Sequence, residues 1–112
     1  MILKVTEQNE IFIAKFVDVS RFTLPICDEV KAELRPLLSE QGRKLIFDLH
    51  DIDFIDSSGI GCIITLFKTA KRAGSTLTLC NLTPDVLDIF NLLHLQVIFN
   101  ITSTQEGCLQ KI

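Results

Sequence analysis

A chain of 112 residues, 47% of them hydrophobic, has the length and apolar content for one compact domain and is too short for two ordinary ones. Its formal net charge of −3 excludes the basic surplus on which nucleic-acid binding and polybasic membrane contacts depend. With 22% charged residues it has the balance of a globular protein and too many large apolar side chains for a disordered one.

No stretch approaches the roughly twenty apolar residues of a membrane span. Glu7 and Glu10 break the N-terminal apolar run before a signal-peptide core can form, and no small-residue cleavage site follows. No membrane insertion is expected, and the expected compartment is the cytoplasm. Cys27, Cys62, Cys80 and Cys108 are scattered without a C-x-x-C pair. They read as reduced cysteines acting as small hydrophobes, with no metal or cofactor site implied.

In chain order, residues 2–7 and 11–17 form two apolar-rich runs around Gln8-Asn9-Glu10, the pattern of a β-hairpin. After Asp18-Val19-Ser20-Arg21 a helix is predicted from Thr23 to Ser39, with Cys27, Val30, Leu34 and Leu37 or Leu38 facing inward. Pro36 predicts a kink or an early end near Leu34, because proline lacks the amide and crowds the preceding turn. Residues 44–49 read as a central strand covered on both faces. A loop from His50 to Asp56 leads to Ser57-Ser58-Gly59-Ile60-Gly61 and a helix to Ala73. Ile60, Ile63, Ile64, Phe67 and Ala70 form its apolar face, and Gly74 its cap. Residues 76–80 are a further strand. Thr83 and Pro84 open a third helix with Val86, Ile89, Phe90 and Leu93 inward. A last strand is predicted at 96–99 and a weak helix at 103–111. Strands alternating with helices imply parallel pairs, and the opening hairpin makes the sheet mixed.

The segment from Phe47 to Gly61 carries the chemistry. A buried strand, an acidic loop, two serines and two glycines meet where sites gather in α/β sheets, at the carboxyl ends of strands. The serines stand at or next to the N-cap of the helix, near free amides and the positive end of its dipole. Several readings of these residues stay open. A serine can simply cap the helix. Gly59 and Gly61 form G-x-G, but the rest of a phosphate-binding loop is missing. A nucleophilic serine would need His50 or His94 as its base, and the order Ser-Ser-Gly-Ile-Gly is not G-x-S-x-G.

The run from Leu45 to Gly61, Leu-Ile-Phe-Asp-Leu-His-Asp-Ile-Asp-Phe-Ile-Asp-Ser-Ser-Gly-Ile-Gly, resembles the signature of bacterial anti-sigma-factor antagonists, the STAS family. Lys71-Arg72-Ala73-Gly74, Leu79-Cys80 and Val86 through Leu95 continue the likeness. The resemblance implies an α/β fold in a single STAS domain over residues 1–112: a mixed, mostly parallel sheet with α-helices packed on one side. It implies a non-enzymatic switch. The unphosphorylated protein binds an anti-sigma factor that is also a serine kinase, which then releases its target. Phosphorylation of the first serine of Asp-Ser-Ser-Gly, here Ser57, with Ser58 as the alternative, ends binding. A metal-dependent serine phosphatase resets the switch. The partner-binding surface implied in this way comprises Ser20, Arg21, Asp53, Asp56, Ser57, Ser58 and Gly59. A non-switching STAS subunit of a larger regulatory, secretion or transport complex is the alternative. The chain departs from the family turn after the second strand, with Val17 in place of glycine and Ser20 in place of an acidic residue. Asp18 and Arg21 are the candidates to substitute. His94-Leu95 replaces the family's Gly-Leu.

Overall fold

The computed structural model describes residues 2–102. Strands β1 (Leu3–Gln8) and β2 (Ile11–Phe16) form the expected hairpin. Asn9 and Glu10 both adopt positive φ, 53° and 67°, the backbone of a two-residue turn whose twist matches that of the strands. β4 (Lys44–Asp48), β6 (Thr76–Cys80) and β7 (Asn100–Thr102) complete a five-stranded sheet of order β1-β2-β4-β6-β7. Only β1 runs antiparallel to its neighbour.

Helices α1 (Leu24–Leu38), α2 (Ser57–Ala73) and α3 (Pro84–Leu92) connect the parallel strands. Their buried residues join Ala14, Leu45, Phe47, Leu77 and Leu79 in one core, so all three lie on the same sheet face. The alternate residues Ile11, Ile13, Ile46 and Cys80 form a smaller cluster on the other face. This is the mixed, mostly parallel α/β fold expected, with helices on one side.

Four local expectations are corrected. First, of the kink or early end predicted near Leu34, the early end does not occur: α1 continues to Leu38, next to the predicted end at Ser39, with Pro36 in its last turn. Leu34 and Leu38 are both fully buried, and Ser39 closes the end by donating from its amide (3.0 Å) and hydroxyl (2.7 Å) to the Arg35 carbonyl. Core burial there outweighs the proline penalty. Second, residues 96–99 are not a strand: Leu95–Val97 form a 3-10 turn, and the edge strand starts at Asn100. Leu95 and Phe99, four apart, are the buried pair, while Val97 and Ile98 are exposed. That spacing is helical, so an apolar run read as strand carries the wrong period. Third, Leu93 is exposed instead of inward. Fourth, the loop from His50 to Asp56 contains a strand, β5 (Phe54–Ile55), paired in parallel with β3 (Arg21–Phe22) as a separate two-stranded sheet. The predicted helix at 103–111 lies outside the described residues, as does Cys108.

Candidate functional site

The site is built on the loop that leaves β4. Asp48, the last residue of that strand, is 2% exposed. Its carboxylate accepts from the His50 amide (3.0 Å) and the Asn81 side-chain amide (3.1 Å), with Lys15 Nζ at 3.9 Å. A buried carboxylate needs such partners. Here they tie the loop to the ends of β2 and β6. Ile52 is fully buried, and its carbonyl accepts from the Thr83 hydroxyl at 2.7 Å. Thr83 precedes α3 as expected, yet its hydroxyl serves the loop instead of capping the helix.

The loop is then stitched to the segment after β2. The Asp53 amide donates to the Ser20 carbonyl (2.9 Å) and the Asp56 amide to the Phe22 carbonyl (3.4 Å), bracketing the β3–β5 pair. Phe22 anchors β3 by packing against Phe16 and Phe47, at centroid distances of 5.2 and 6.2 Å, in a cluster where those two rings also touch each other. Its neighbour Arg21 points outward, its guanidinium carbon 4.2 Å from the centroid of Phe54.

Asp56 is the N-cap of α2, its Oδ1 accepting from the Gly59 amide at 3.0 Å. Ser57 and Ser58 are therefore the first two helical residues, beside the cap and not the cap itself. Ser57 is exposed and Ser58 half-buried. Gly59 is buried against β3: a Cβ there would lie 2.3 Å from the Phe22 carbonyl oxygen. The glycine is what lets the start of α2 come so near β3, and this holds Ser57 at the rim.

The structure thus gathers Ser20, Arg21, Asp53, Asp56, Ser57, Ser58 and Gly59 around one junction. It adds residues that sequence reasoning missed. Val17, Leu24 and Phe54 are exposed apolar side chains, 42%, 69% and 39% accessible, on the segments flanking the serines. A cavity of about 320 Å³ is lined by Asp18, Val19, Ser20 and Asp51. Phe54 carried a signal, as a lone aromatic in an acidic loop; the pairing of Asp18 and Asp51 across a cavity carried none.

Both ring nitrogens of His50 face carboxylates, Nδ1 at 3.5 Å from Asp48 and Nε2 at 2.9 Å from Asp51, and not a serine hydroxyl. Among the described residues no three His, Cys, Asp or Glu side chains converge as a metal site, and no helix is long and apolar enough to cross a membrane. Behind the serines, Cys27 of α1 and Cys62 of α2 are buried neighbours. The Cys62 thiol donates to the Cys27 carbonyl at 3.8 Å. Burial, with the adjacent Cys27, pushes the Cys62 thiol up from 9.0 to about 12; burial and then the Asp56 charge raise Cys27. Both side chains are held as thiols, packed like apolar groups.

The fold and this junction define a STAS domain: the family model for that domain matches residues 5–107, and the chain belongs to the family. Among curated relatives it is similar to the anti-sigma-B factor antagonist of Bacillus subtilis (strain 168), at 31% identity over 92% of this chain and 91% of the relative. Among solved structures it superposes on an anti-sigma-factor antagonist (STAS) domain protein from Planctomyces limnophilus. The TM-score is 0.88, with 20% identity over 97% of this chain and 96% of that one. It also superposes on the phosphorylated form of the Bacillus cell fate determinant SpoIIAA. There the TM-score is 0.69, with 14% identity over 97% of each chain.

Proposed function

We propose that this chain is an anti-sigma-factor antagonist controlled by phosphorylation at Ser57. In the unmodified state it binds an anti-sigma factor that is also a serine kinase and so releases that factor's target. Phosphorylation turns binding off, and a metal-dependent serine phosphatase restores it. The chain acts by binding and catalyses nothing itself. The observation that carries this reading is the position of Ser57: an exposed residue at the start of α2, three positions after the exposed Phe54, with Val17 and Leu24 adding exposed apolar side chains on the segment that contains β3. Exposed apolar groups around a polar centre fit a docking surface. A hydroxyl at that surface is open to a kinase and is covered once a partner docks. The similarity to the Bacillus subtilis anti-sigma-B factor antagonist supports the choice of partner.

A phosphate on Ser57 brings about −1.5 to −2 charges into that surface. Docking would then bury a charge and its hydration shell among apolar side chains, which opposes binding whatever the sign of the partner's own charge.

The test is a pulldown with a candidate anti-sigma kinase, with and without ATP, followed by phosphosite mapping. The expected result is capture without ATP, loss of capture with ATP, and phosphate on Ser57. Phosphate confined to Ser58, or ATP-independent capture by a kinase that does modify Ser57, would overturn the assignment.

A further inference from the structure

We propose that Arg21 is the built-in counter-ion for a phosphate on Ser57, and that phosphorylation draws its guanidinium off the Phe54 ring. This inference rests on the reading of Ser57 as the modified residue.

Arg21 is exposed, and among the described residues it has no ion pair; its recorded contact is the face of Phe54, 4.2 Å from guanidinium carbon to ring centroid. Of the carboxylates near it, Asp56 accepts from the Gly59 amide and Asp51 from His50, and neither Asp18 nor Asp53 forms an ion pair with it. No other Lys or Arg occurs between Phe16 and Val30 or between Leu49 and Phe67, the segments that build the junction. The next cation along α1, Lys31, lies 3.8 Å from Asp28.

Arg21 and Ser57 are held on the same rim. Arg21 is in register with Phe54, and Ser57 follows three residues later, at most about 10 Å of chain. The hydrogen bond from the Asp56 amide to the Phe22 carbonyl ties the two segments together immediately before Ser57. A guanidinium resting on an exposed aromatic face is weakly held. A phosphate offers it three acceptor oxygens and a double charge, which a planar guanidinium meets with two parallel hydrogen bonds. Arg21 therefore has two resting places: the ring when Ser57 is free, and the phosphate when it is not. The move strips the cation from Phe54, reshapes the docking face, and neutralises part of the phosphate charge inside the domain.

The experiment uses the full chain with phosphoserine incorporated at position 57 during translation, so no kinase is needed. A phosphorus NMR titration reads the second ionisation of the phosphate, about 6 for an unpaired phosphoserine. A paired cation favours the dianion, so the midpoint should lie ~0.5–1 pH unit lower than in the Arg21→Gln protein. The Arg21 Nε–H resonance should also shift on phosphorylation. Equal midpoints in the two proteins, or an unmoved Arg21 resonance, would overturn the proposal. Failure of every kinase to modify Ser57 would defeat the proposed function and leave this titration unaffected.

Discussion

Gly59 and Gly61 stand two residues apart in one helix under opposite constraints. A Cβ on Gly59 meets the Phe22 carbonyl oxygen at 2.3 Å and Ile55 Cγ1 at 2.7 Å, and the carbonyl belongs to a strand that cannot yield. Gly59→Ala should cost about 1–3 kcal/mol, as overpacking does. A Cβ on Gly61 meets nothing within 4 Å. Gly61→Ala should instead stabilise by about 0.5–1 kcal/mol, because alanine loses less backbone entropy in a helix. Urea unfolding of the two variants checks both signs; similar values would show that α2 does not press on β3. Cys62 supplies a pH dependence. Its pKa rises from 9.0 to about 12 on folding, so the folded state keeps a proton that the unfolded chain has lost. Its contribution is complete below pH 9 and is lost as pH rises through about 12, with a limiting slope of about 1.4 kcal/mol per pH unit. Between pH 9 and 11 the wild type should lose stability faster than Cys62→Ala, measured by urea unfolding at each pH. Parallel curves would count against a buried Cys62 thiol.

At the scale of elements, the start of α2 is held by its cap and its loop. Asp56→Ala removes the acceptor for the Gly59 amide and should cost about 1 kcal/mol, whereas Asp56→Asn should keep most of it. Asp48→Ala strands the His50 and Asn81 donors at the ends of β4 and β6, at a cost of about 1–3 kcal/mol. Hydrogen exchange should show the His50 amide losing protection in that variant; unchanged protection would mean that Asp48 does not brace the loop. Elements differ in how legible they were. α2 could be read from its apolar spacing and from Gly74, which indeed takes the left-handed conformation at φ 75°. β3 and β5 could not: two residues are too few to show a period, and each exists only because the other lies beside it. The run at 96–99 misled because a short apolar stretch does not separate strand from turn until burial reveals its spacing.

For the whole molecule, modification of Ser57 should alter binding and spare the fold. Ser57 is exposed, and the positive end of α2 offsets part of the added charge, by roughly 0.3–1 kcal/mol. Trapping that charge without a partner in a docked interface costs several times more, about 2–5 kcal/mol in affinity. Thermal melts of the unmodified, phosphorylated, Ser57→Ala and Ser57→Asp proteins should coincide within a few degrees. Titration with the kinase should separate them: the alanine form binds and escapes control, and the aspartate form weakens less than the phosphoprotein. Unfolding on phosphorylation, or unchanged affinity, would show that the switch works otherwise.

The sequence by itself determined the order of the main strands and helices, the mixed sheet, and the acidic loop delivering two serines to a helix start. These are local matters, carried by apolar period, cap chemistry and the run Asp56-Ser57-Ser58-Gly59. Tertiary structure alone decided that Ser20 meets Asp53, that Arg21 lies on Phe54, and that Gly59 abuts Phe22. Those residues lie more than thirty positions apart. Their contact follows from Phe22 seeking the core beside Phe16 and Phe47, which carries β3 across to β5. A single side chain buried at long range thus assembles the surface around Ser57, and no periodicity within either segment encodes that meeting.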